Sequence, residues 1–361
     1  MKNLSTQHWQ YVWDEPVATG AFKTRPEDFQ VIEALGYEPA GEGEHQFLFI
    51  EKVNLNTAFV AEQLAKFTGL PLRNVTYAGR KDKFALTRQW FGLHAPGKPN
   101  FDFSGFTLPG VKICQHSRHN RKLKTGQLQG NDFVITLRHI TQPATIIQRL
   151  ERISSHGVPN YFGEQRFGVM RVDENGKRQE GGNLALAQRM VAGEAIRNRN
   201  KRSMALSALR SWLFNECISV RIGQGDFDNI LAGDALMLKG SNSFFIEDGS
   251  DTTVNTRYQQ QDLAPTAPLW GQGKLAVTAQ ALALESTITA AFPEVTQYLE
   301  QAGLKQERRP IKIWPERLEW QLVDDTLTLS FGLPSGCFAT SVLRECVQLM
   351  DPPQTHLPES L

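Results

Sequence analysis

The feature that most constrains this fold is the placement of strand-like patterns at both ends of the chain and helical patterns in its middle. Alternating polar and apolar residues, which are typical of half-buried strands, occupy 46–53, 74–79, 89–94 and 132–138. The alternation returns at 320–323 and 326–331, which form a predicted hairpin. This pattern predicts a sheet domain interrupted by an insertion at roughly 157–305.

Helical spacing of apolar residues is found mainly between these strands. The predicted helices span 57–67, 145–156, 184–191, 203–220, 278–292, 294–302 and 341–350. The apolar face of the first helix comprises Phe59, Val60, Leu64 and Phe67. Gly69 supplies its stop, because glycine adopts the left-handed conformation that ends many helices. The second helix carries an apolar stripe of Ile146, Leu150 and Ile153.

Composition narrows the class of protein. The chain has 361 residues, 40% of them hydrophobic and 21% charged, which is ordinary globular usage and excludes a disordered or repetitive chain. No segment approaches 18 consecutive apolar residues, and the first 13 residues lack the apolar stretch of a signal peptide. The four cysteines form no CxxC pair, so we expect reduced thiols in a cytoplasmic protein that neither spans a membrane nor is secreted.

The charges are balanced in number but uneven in position. Lys and Arg total 39 against 38 Asp and Glu, yet two short segments, 116–124 and 197–202, contain four cations each and no acid. Acidic residues collect elsewhere, at Glu247, Asp248, Asp251, Asp262, Asp351 and Glu359. A basic run is most often a solvated surface, but two of them also suit a phosphate backbone lying along one face.

One short segment requires a more specific interpretation. Residues 77–94 read YAGRKDKFALTRQWFGLH, in which the carboxylate of Asp82 lies among four cations between two strand-like stretches. A hairpin connection whose Asp forms salt bridges with its neighbours is one reading. A catalytic carboxylate kept ionised by adjacent cations is the other.

This segment resembles the AGxKDxxAxTxQ signature of the TruD family of pseudouridine synthases. The residues in register are Ala78, Gly79, Lys81, Asp82, Ala85, Thr87 and Gln89. Other blocks similar to the family follow in the expected order at 22–33, 43–45, 51–52, 130–133, 160–168 and 333–345. Lys83 and Phe338 depart from the residues most frequent in the family, and the resemblance is weak within about 170–300.

The resemblance implies a fold and a reaction. The fold is an α+β pseudouridine synthase core, with a mixed, mostly antiparallel sheet flanked by helices, and an α/β insertion domain. The implied domains are a discontinuous core of 1–156 and 306–361 and an insertion of 157–305, with an RNA-binding cleft between them. The reaction isomerises uridine to pseudouridine in tRNA, at position 13 in bacterial members. It needs no cofactor and no metal.

The resemblance also assigns residues. Asp82 is the implied catalytic carboxylate, Lys23 its cationic partner, and Asn131 and Phe133 the polar contact and the stacking ring for the target uracil. Phe29 is assigned to the pocket lining. Without the resemblance, the sequence predicts that Lys23 is a surface lysine and that Phe29 and Phe133 are core residues. We expect RNA contacts, from the charge distribution and the motif together, at Arg80, Lys81, Arg118, Arg121, Lys122, Arg199 and Arg202.

Two other functions are compatible with the same residues. One is a tRNA-binding or folding factor on this scaffold without turnover. The other is a glycosidase or nucleoside hydrolase, which normally requires a second carboxylate such as Asp28 or Glu44. No obligate protein partner is predicted, and since no apolar interface stripe is evident we expect a monomer.

Overall fold

The computed structural model describes residues 4–168, 171–172, 178–179 and 181–350. Asp351 and Glu359, which belong to the acidic segments of the sequence, lie outside this part. The chain divides into two compact units. Unit one comprises Met1–Glu15, Arg149–Trp314 and Cys337–Glu345, and unit two comprises Pro16–Gln148, Pro315–Gly336 and Cys346–Leu361. The domain boundaries implied by the family resemblance stay a prediction.

The described residues form eighteen strands and eight α-helices. The strands are β1 Thr19–Phe22, β2 Phe29–Ala34, β3 His45–Val53, β4 Val75–Tyr77, β5 Leu86–His94, β6 Val111–His119, β7 Gly130–Arg138, β8 Val158–Pro159, β9 Arg171–Val172, β10 Arg178–Gln179, β11 Ala235–Leu238, β12 Phe244–Ile246, β13 Leu263–Leu269, β14 Glu307–Pro310, β15 Lys312–Ile313, β16 Glu316–Val323, β17 Thr326–Pro334 and β18 Gln348–Met350. The helices are α1 Thr57–Thr68, α2 Pro143–His156, α3 Gly182–Val191, α4 Arg199–Gly223, α5 Val254–Gln259, α6 Ala279–Ala291, α7 Pro293–Gln301 and α8 Ala339–Cys346.

Unit two is built on a ten-stranded sheet. Seven strands follow the order β16-β17-β7-β2-β5-β3-β6, while β1 pairs with β7 and β18, and β4 pairs with β5. The pairs β2–β5 and β1–β18 are parallel and the other pairs are antiparallel. The prediction of a mixed, mostly antiparallel sheet in an α+β protein is therefore confirmed. Because β2 lies between β5 and β7, segments distant in sequence become neighbours at the middle of the sheet.

Helix α1 packs on this sheet, but with a different face from the predicted one. Val60 and Leu64 are fully buried against the sheet, as predicted, whereas Phe59 is 39% exposed. Phe67 is also partly exposed and packs on the rings of Phe103 and Phe106. The prediction placed both rings on the core side and was wrong. The buried face comprises Thr57, Val60, Ala61, Leu64, Ala65 and Thr68. At 3.6 residues per turn Phe67 lies at the margin of this face and Phe59 on the opposite side of the helix.

Unit one contains the helix-rich middle of the chain. Its longest helix, α4, begins after Asn198, whose side chain accepts a hydrogen bond from the backbone N–H of Lys201. Trp212 and Phe214 of α4 are buried in the core of this unit. A four-stranded antiparallel sheet in the order β12-β11-β13-β14 belongs to the same unit. Its strands are short because turns interrupt this part of the chain, as its glycine content predicts.

Several further elements differ from the predictions, and strands β1 and β2 were not predicted. The predicted helix 341–350 ends at Cys346, and Gln348–Met350 instead pairs with Thr19–Ala21 as a parallel strand. Helix α5 was not predicted. Strand β6 was missed because 116–119 was interpreted only as part of a basic segment. An edge strand with alternating charged residues gives a weak strand signal, since one of its edges faces water.

The corrected face of α1 predicts the cost of two truncations. We expect Leu64→Ala to lower the free energy of unfolding by about 2–5 kcal/mol, because it leaves a cavity among buried side chains. Phe59→Ala, the matched control on the same helix, should change it by less than about 1 kcal/mol, since that ring remains partly exposed. Urea unfolding followed by circular dichroism measures both. Equal losses for the two variants would contradict this assignment of the helix face.

Candidate active site

The carboxylate of Asp82 and the ammonium of Lys23 form an ion pair in unit two. Lys23 Nζ lies 2.6 Å from Asp82 Oδ2, and both side chains keep some exposure to solvent. Asp82 belongs to the connection between β4 and β5, whereas Lys23 directly follows β1. The structure thus brings together the two residues that the family resemblance paired, although 59 positions separate them. A partly exposed carboxylate beside a cation remains accessible to a reacting group.

The backbone of Lys23 adopts a strained conformation. Its φ angle of 55° lies in the left-handed region, which costs a residue with a Cβ about 1–2 kcal/mol. The ammonium also lies 4.2 Å from the centroid of the Phe29 ring and 5.2 Å from that of Phe22. These rings and the carboxylate hold the cation from different sides, because ring faces and carboxylates both attract positive charge.

Neutral hydrogen bonds fix the main chain just before Asp82. The Gln89 side chain donates to the carbonyl of Gly79 at 3.2 Å, and the backbone N–H of Lys81 donates to Thr57 Oγ1 at 3.0 Å. Thr57 in turn donates to Gln89 Oε1 at 2.8 Å, so helix α1 and strand β5 hold the connection together. A loop anchored to regular elements in this way presents its carboxylate in a defined position.

A second ion pair anchors the side chain of Lys81. Its ammonium lies 2.5 Å from Glu33 Oε1, and Glu33 Oε2 accepts a hydrogen bond from the backbone N–H of Trp90 at 2.9 Å. Burial raises the pKa of Glu33, and the positive charge of Lys81 opposes that shift. Lys81 was expected to contact RNA, but its charge is directed into the protein at this pair.

A third lysine, Lys52 of β3, also contacts the connection between β4 and β5. Its side chain is fully buried, and its ammonium donates to the backbone carbonyls of Leu55 at 2.8 Å and Asp82 at 3.2 Å. Burial lowers the pKa of Lys52 to about 8, and the negative charge of Asp82 opposes the shift. This lysine therefore contacts the main chain of the candidate catalytic residue.

Aromatic rings from three strands pack together, and one of them, Phe29, contacts the ammonium of Lys23. The Phe133 ring on β7 stacks on Phe331 of β17, with centroids 5.6 Å apart, and contacts Phe29 of β2 at 6.2 Å. Phe133 is only 6% exposed in this structure, so it packs as a core residue here. Its predicted stacking on uracil stays a prediction. Asn131, two residues earlier on β7, has a buried Oδ1 that accepts no hydrogen bond from the described residues.

The predicted RNA contacts in unit two divide into exposed and internally bonded side chains. Arg80, Arg121 and Lys122 are exposed. Arg118 instead donates to the carbonyls of Gly43 and Lys98 at 2.8 and 2.7 Å, and so joins two neighbouring turns. The guanidinium of Arg118 thus has a structural role, whereas the three exposed cations are available to a ligand.

The predicted contacts in unit one are Arg199 and Arg202. Both side chains are exposed in the first turn of α4. Cations at the start of a helix lie at the positive end of its dipole, which is unfavourable for the helix by a few tenths of a kcal/mol or more. The combination produces a strongly positive surface, which favours an anionic ligand.

The two carboxylates considered for a hydrolase are engaged elsewhere. Arg138 donates to Asp28 through two nitrogens, the shorter contact being 2.7 Å. Glu44 lies 3.7 Å from His94 Nε2. Among the described residues, no group of three or more His, Cys, Asp or Glu could hold a metal ion. No helix in the described part of the chain is long and apolar enough to cross a membrane.

The sequence analysis assigned no role to five residues of this site, although Gln89 belongs to the matched signature and Glu33 and Lys52 to family-like blocks. The five residues are Glu33, Lys52, Thr57, Gln89 and Phe331. A signal existed for Glu33, which shares the inward face of β2 with Phe29 and Val31 at a spacing of two residues. A carboxylate on such a face requires a buried cation. Phe331 had no comparable signal, because strand register alone places it opposite Phe133.

The chain is similar to known proteins over most of its length. The model of the tRNA pseudouridine synthase D (TruD) family matches residues 6–177 and 187–346. The chain belongs to the TruD family. A protein of Pseudoalteromonas atlantica named tRNA pseudouridine synthase D is 51% identical over 346 residues, which cover 96% of this chain and 97% of that protein. A protein of the same name from Aeromonas salmonicida is 46% identical over 338 residues, covering 94% and 93%.

A solved structure has the same fold. It is described as the putative tRNA pseudouridine synthase D of Methanosarcina mazei, and it superimposes with a TM-score of 0.69 at 21% identity. The match covers 95% of this chain and 96% of the other. At this identity the likeness concerns the fold alone. The family assignment made from the sequence motifs is thus confirmed, and it extends across both units.

The packing of Phe133 predicts the effect of truncating it. We expect Phe133→Ala to lower the free energy of unfolding by about 3–5 kcal/mol, because the ring is buried between two other rings. The exposed Phe244, truncated in the same way, is the control and should cost less than about 1 kcal/mol. Urea denaturation curves for both variants give the comparison. A loss below about 1 kcal/mol for Phe133→Ala would show that the ring contributes little to the core.

Proposed function

We propose that this chain isomerises uridine to pseudouridine in tRNA, at position 13, with Asp82 as the catalytic carboxylate. The observation that carries the proposal is the 2.6 Å ion pair between Lys23 and Asp82 on an anchored loop, in a member of the TruD family. The relatives named tRNA pseudouridine synthase D support the reaction and the substrate class. The position in tRNA comes from the resemblance to bacterial members of the family.

The chemistry requires little beyond one placed carboxylate. The bond between C1′ of the ribose and N1 of uracil breaks, the base rotates, and a bond forms between C1′ and C5. The hydrogen on C5 then leaves as a proton and N1 takes up a proton, so atoms and electrons balance without an oxidant. Asp82 acts either as the nucleophile or as the base at the sugar. Lys23 binds the carboxylate at 2.6 Å and so fixes its position.

The target base must leave its stack before its glycosidic bond can be reached. Unstacking costs a few kcal/mol, which contacts to the extruded base and to phosphates offset. Stacking of the base on Phe133 requires that ring, which is 6% exposed, to leave its packing against Phe331. We assign the free acceptor of Asn131 to the N3–H of the base. The buried, unbonded Oδ1 of Asn131 supports this assignment, because an acceptor without a partner is costly until a ligand supplies one.

Exposed cations supply the contacts to the tRNA backbone. We assign Arg80, Arg121 and Lys122 of unit two and Arg199 and Arg202 of unit one to phosphates, on the basis of their exposure and charge. The protein then works in the cytoplasm, where tRNA is found, and as a monomer. The division into a core of 1–156 and 306–361 and an insertion of 157–305 belongs to the same proposal.

Replacing the carboxylate tests the proposal. We expect Asp82→Asn to reduce isomerisation below about one part in a thousand, because an amide keeps the shape but is neither a nucleophile nor a base. Its affinity for tRNA should stay within a few-fold of the wild type. The measurement is tritium release from tRNA transcripts labelled at uracil C5, together with a binding titration.

The matched control is Asp102→Asn, which changes an exposed aspartate of the same unit and should retain full activity. Appreciable turnover by Asp82→Asn would exclude Asp82 as the essential group. A wild-type chain that binds tRNA tightly but releases no tritium would favour the alternative of a tRNA-binding or folding factor.

The basic surface gives a separate prediction about salt. If Arg121 and Lys122 meet phosphates, replacing both by Gln should make the slope of log K against log salt shallower by about 0.7–0.9 per contact removed. A double variant of the exposed Lys239 and Lys274 removes the same charge elsewhere and should keep the wild-type slope. Binding titrations at four salt concentrations measure the slopes. Identical slopes for all three proteins would show that 116–124 is ordinary surface.

A further inference from the structure

Lys52 occupies a position that stability alone does not explain. Its side chain is fully buried, yet it ends in an ammonium that desolvation penalises. Its two described hydrogen bonds go to main-chain carbonyls, those of Leu55 and Asp82, and not to a carboxylate. An apolar side chain of similar length would fill the same space without burying a charge. The role of the ammonium is therefore to be sought in the two main-chain carbonyls that it binds.

We propose that Lys52 is a positioning residue for the isomerisation, whose ammonium holds the main chain of Asp82 so that the carboxylate stays at Lys23. This inference rests on the proposed function of Asp82. The two carbonyls belong to different segments, one leading into α1 and one in the connection between β4 and β5. One ammonium that bridges them fixes the connection relative to the sheet.

The bond from Lys52 acts where the neutral anchors do not. Gln89 and Thr57 hold the chain at Gly79 and Lys81, before the candidate catalytic residue. The Lys52 ammonium donates to the carbonyl of Asp82 itself. A charged donor to a carbonyl forms a stronger bond than a neutral one, particularly in a site shielded from water.

The charges around Lys52 make this bond sensitive to pH. Asp82 and Glu33 favour its protonated form and Lys81 opposes it, while burial, the largest effect, lowers the pKa of Lys52 to about 8. Below that pH the ammonium donates as a cation. Above it, a neutral amine is a weaker donor, so the hold on Asp82 relaxes.

Removing the ammonium tests the role directly. We expect Lys52→Met to lower the single-turnover rate of tritium release about 100-fold at saturating enzyme, because a small misplacement of a reacting group has that effect. The affinity for tRNA should change less than about threefold, since a fully buried side chain cannot touch phosphate.

Lys312 of unit one provides the matched control. It is also a buried lysine, at 3% exposure, and its ammonium bonds Asp228 and the hydroxyl of Tyr258. Lys312→Met therefore removes a buried ammonium in the same way, but away from the residues assigned to catalysis. We expect its single-turnover rate to stay within about threefold of the wild type. An equal loss of rate in both variants would overturn the positioning role.

The pH profile separates positioning from a general loss of stability. For the wild type and Lys312→Met, we expect the rate at saturation to fall as the pH rises through about 8, and Lys52→Met to lack that fall. Stability should move in the opposite direction. Because folding depresses the pKa of Lys52 from 10.5 to about 8, the penalty for its charge is present below pH 8 and is relieved as the pH rises toward 10.5.

Further outcomes separate a failure of this inference from a failure of the proposed function. If Lys52→Met does not fold, Lys52→Gln takes its place, since its amide is a neutral donor and should show a reduced rate without the fall near pH 8. A rate for Lys52→Met that falls with rising pH in the same way as the wild-type rate overturns the inference. If the wild type releases no tritium, the proposed function fails. If it does and Lys52→Met matches it, this inference alone fails.

Discussion

The contact between Lys23 and Asp82 depends on how the connection between β4 and β5 is held. A free loop would place the carboxylate in many positions, since ordering each backbone residue costs about 1–2 kcal/mol. Here Gln89, Thr57 and Lys52 bond successive main-chain atoms of the loop, and each of the three lies on or beside a regular element. The ordering cost is therefore met by folding of the sheet and α1, before any substrate binds.

The strand order explains why this site contains residues from so much of the chain. Strand β2 pairs in parallel with β5 and antiparallel with β7, and β17 pairs with the other edge of β7. Glu33, Gln89 and Phe133 thus lie on adjacent strands, and Phe331 joins them from a segment about two hundred residues further on. The sheet is complete although residues 149–314 of unit one separate its strands in the sequence.

Features that depend on a local residue pattern, or on a motif with many matched positions, could be predicted from the sequence. The strand 132–138, the stripe of the second helix and the position of Asp82 are of this kind. Two predictions failed because the deciding contact comes from a distant part of the sequence. Gln348–Met350 is a strand because β1 lies beside it, and Lys81 is directed inward because β2 carries Glu33. Neither partner is visible in a local window, since side-chain pairing is set by register across the sheet.

The buried ion pairs of unit one are made by arginine, whereas lysine binds Asp82 in the candidate active site. In unit one, Arg221 and Arg308 form buried pairs with Asp234 and Glu285 through two guanidinium nitrogens each, which gives a rigid planar geometry. At Asp82, by contrast, the carboxylate is bound by Lys23 and the main-chain carbonyl by Lys52, both of them lysines. An ammonium is a compact charge on a flexible stem, and its donors are not fixed in one plane. In the proposed reaction, Lys23 therefore keeps its bond as the carboxylate moves onto a reacting atom, whereas a bidentate guanidinium would hold the carboxylate in its resting position.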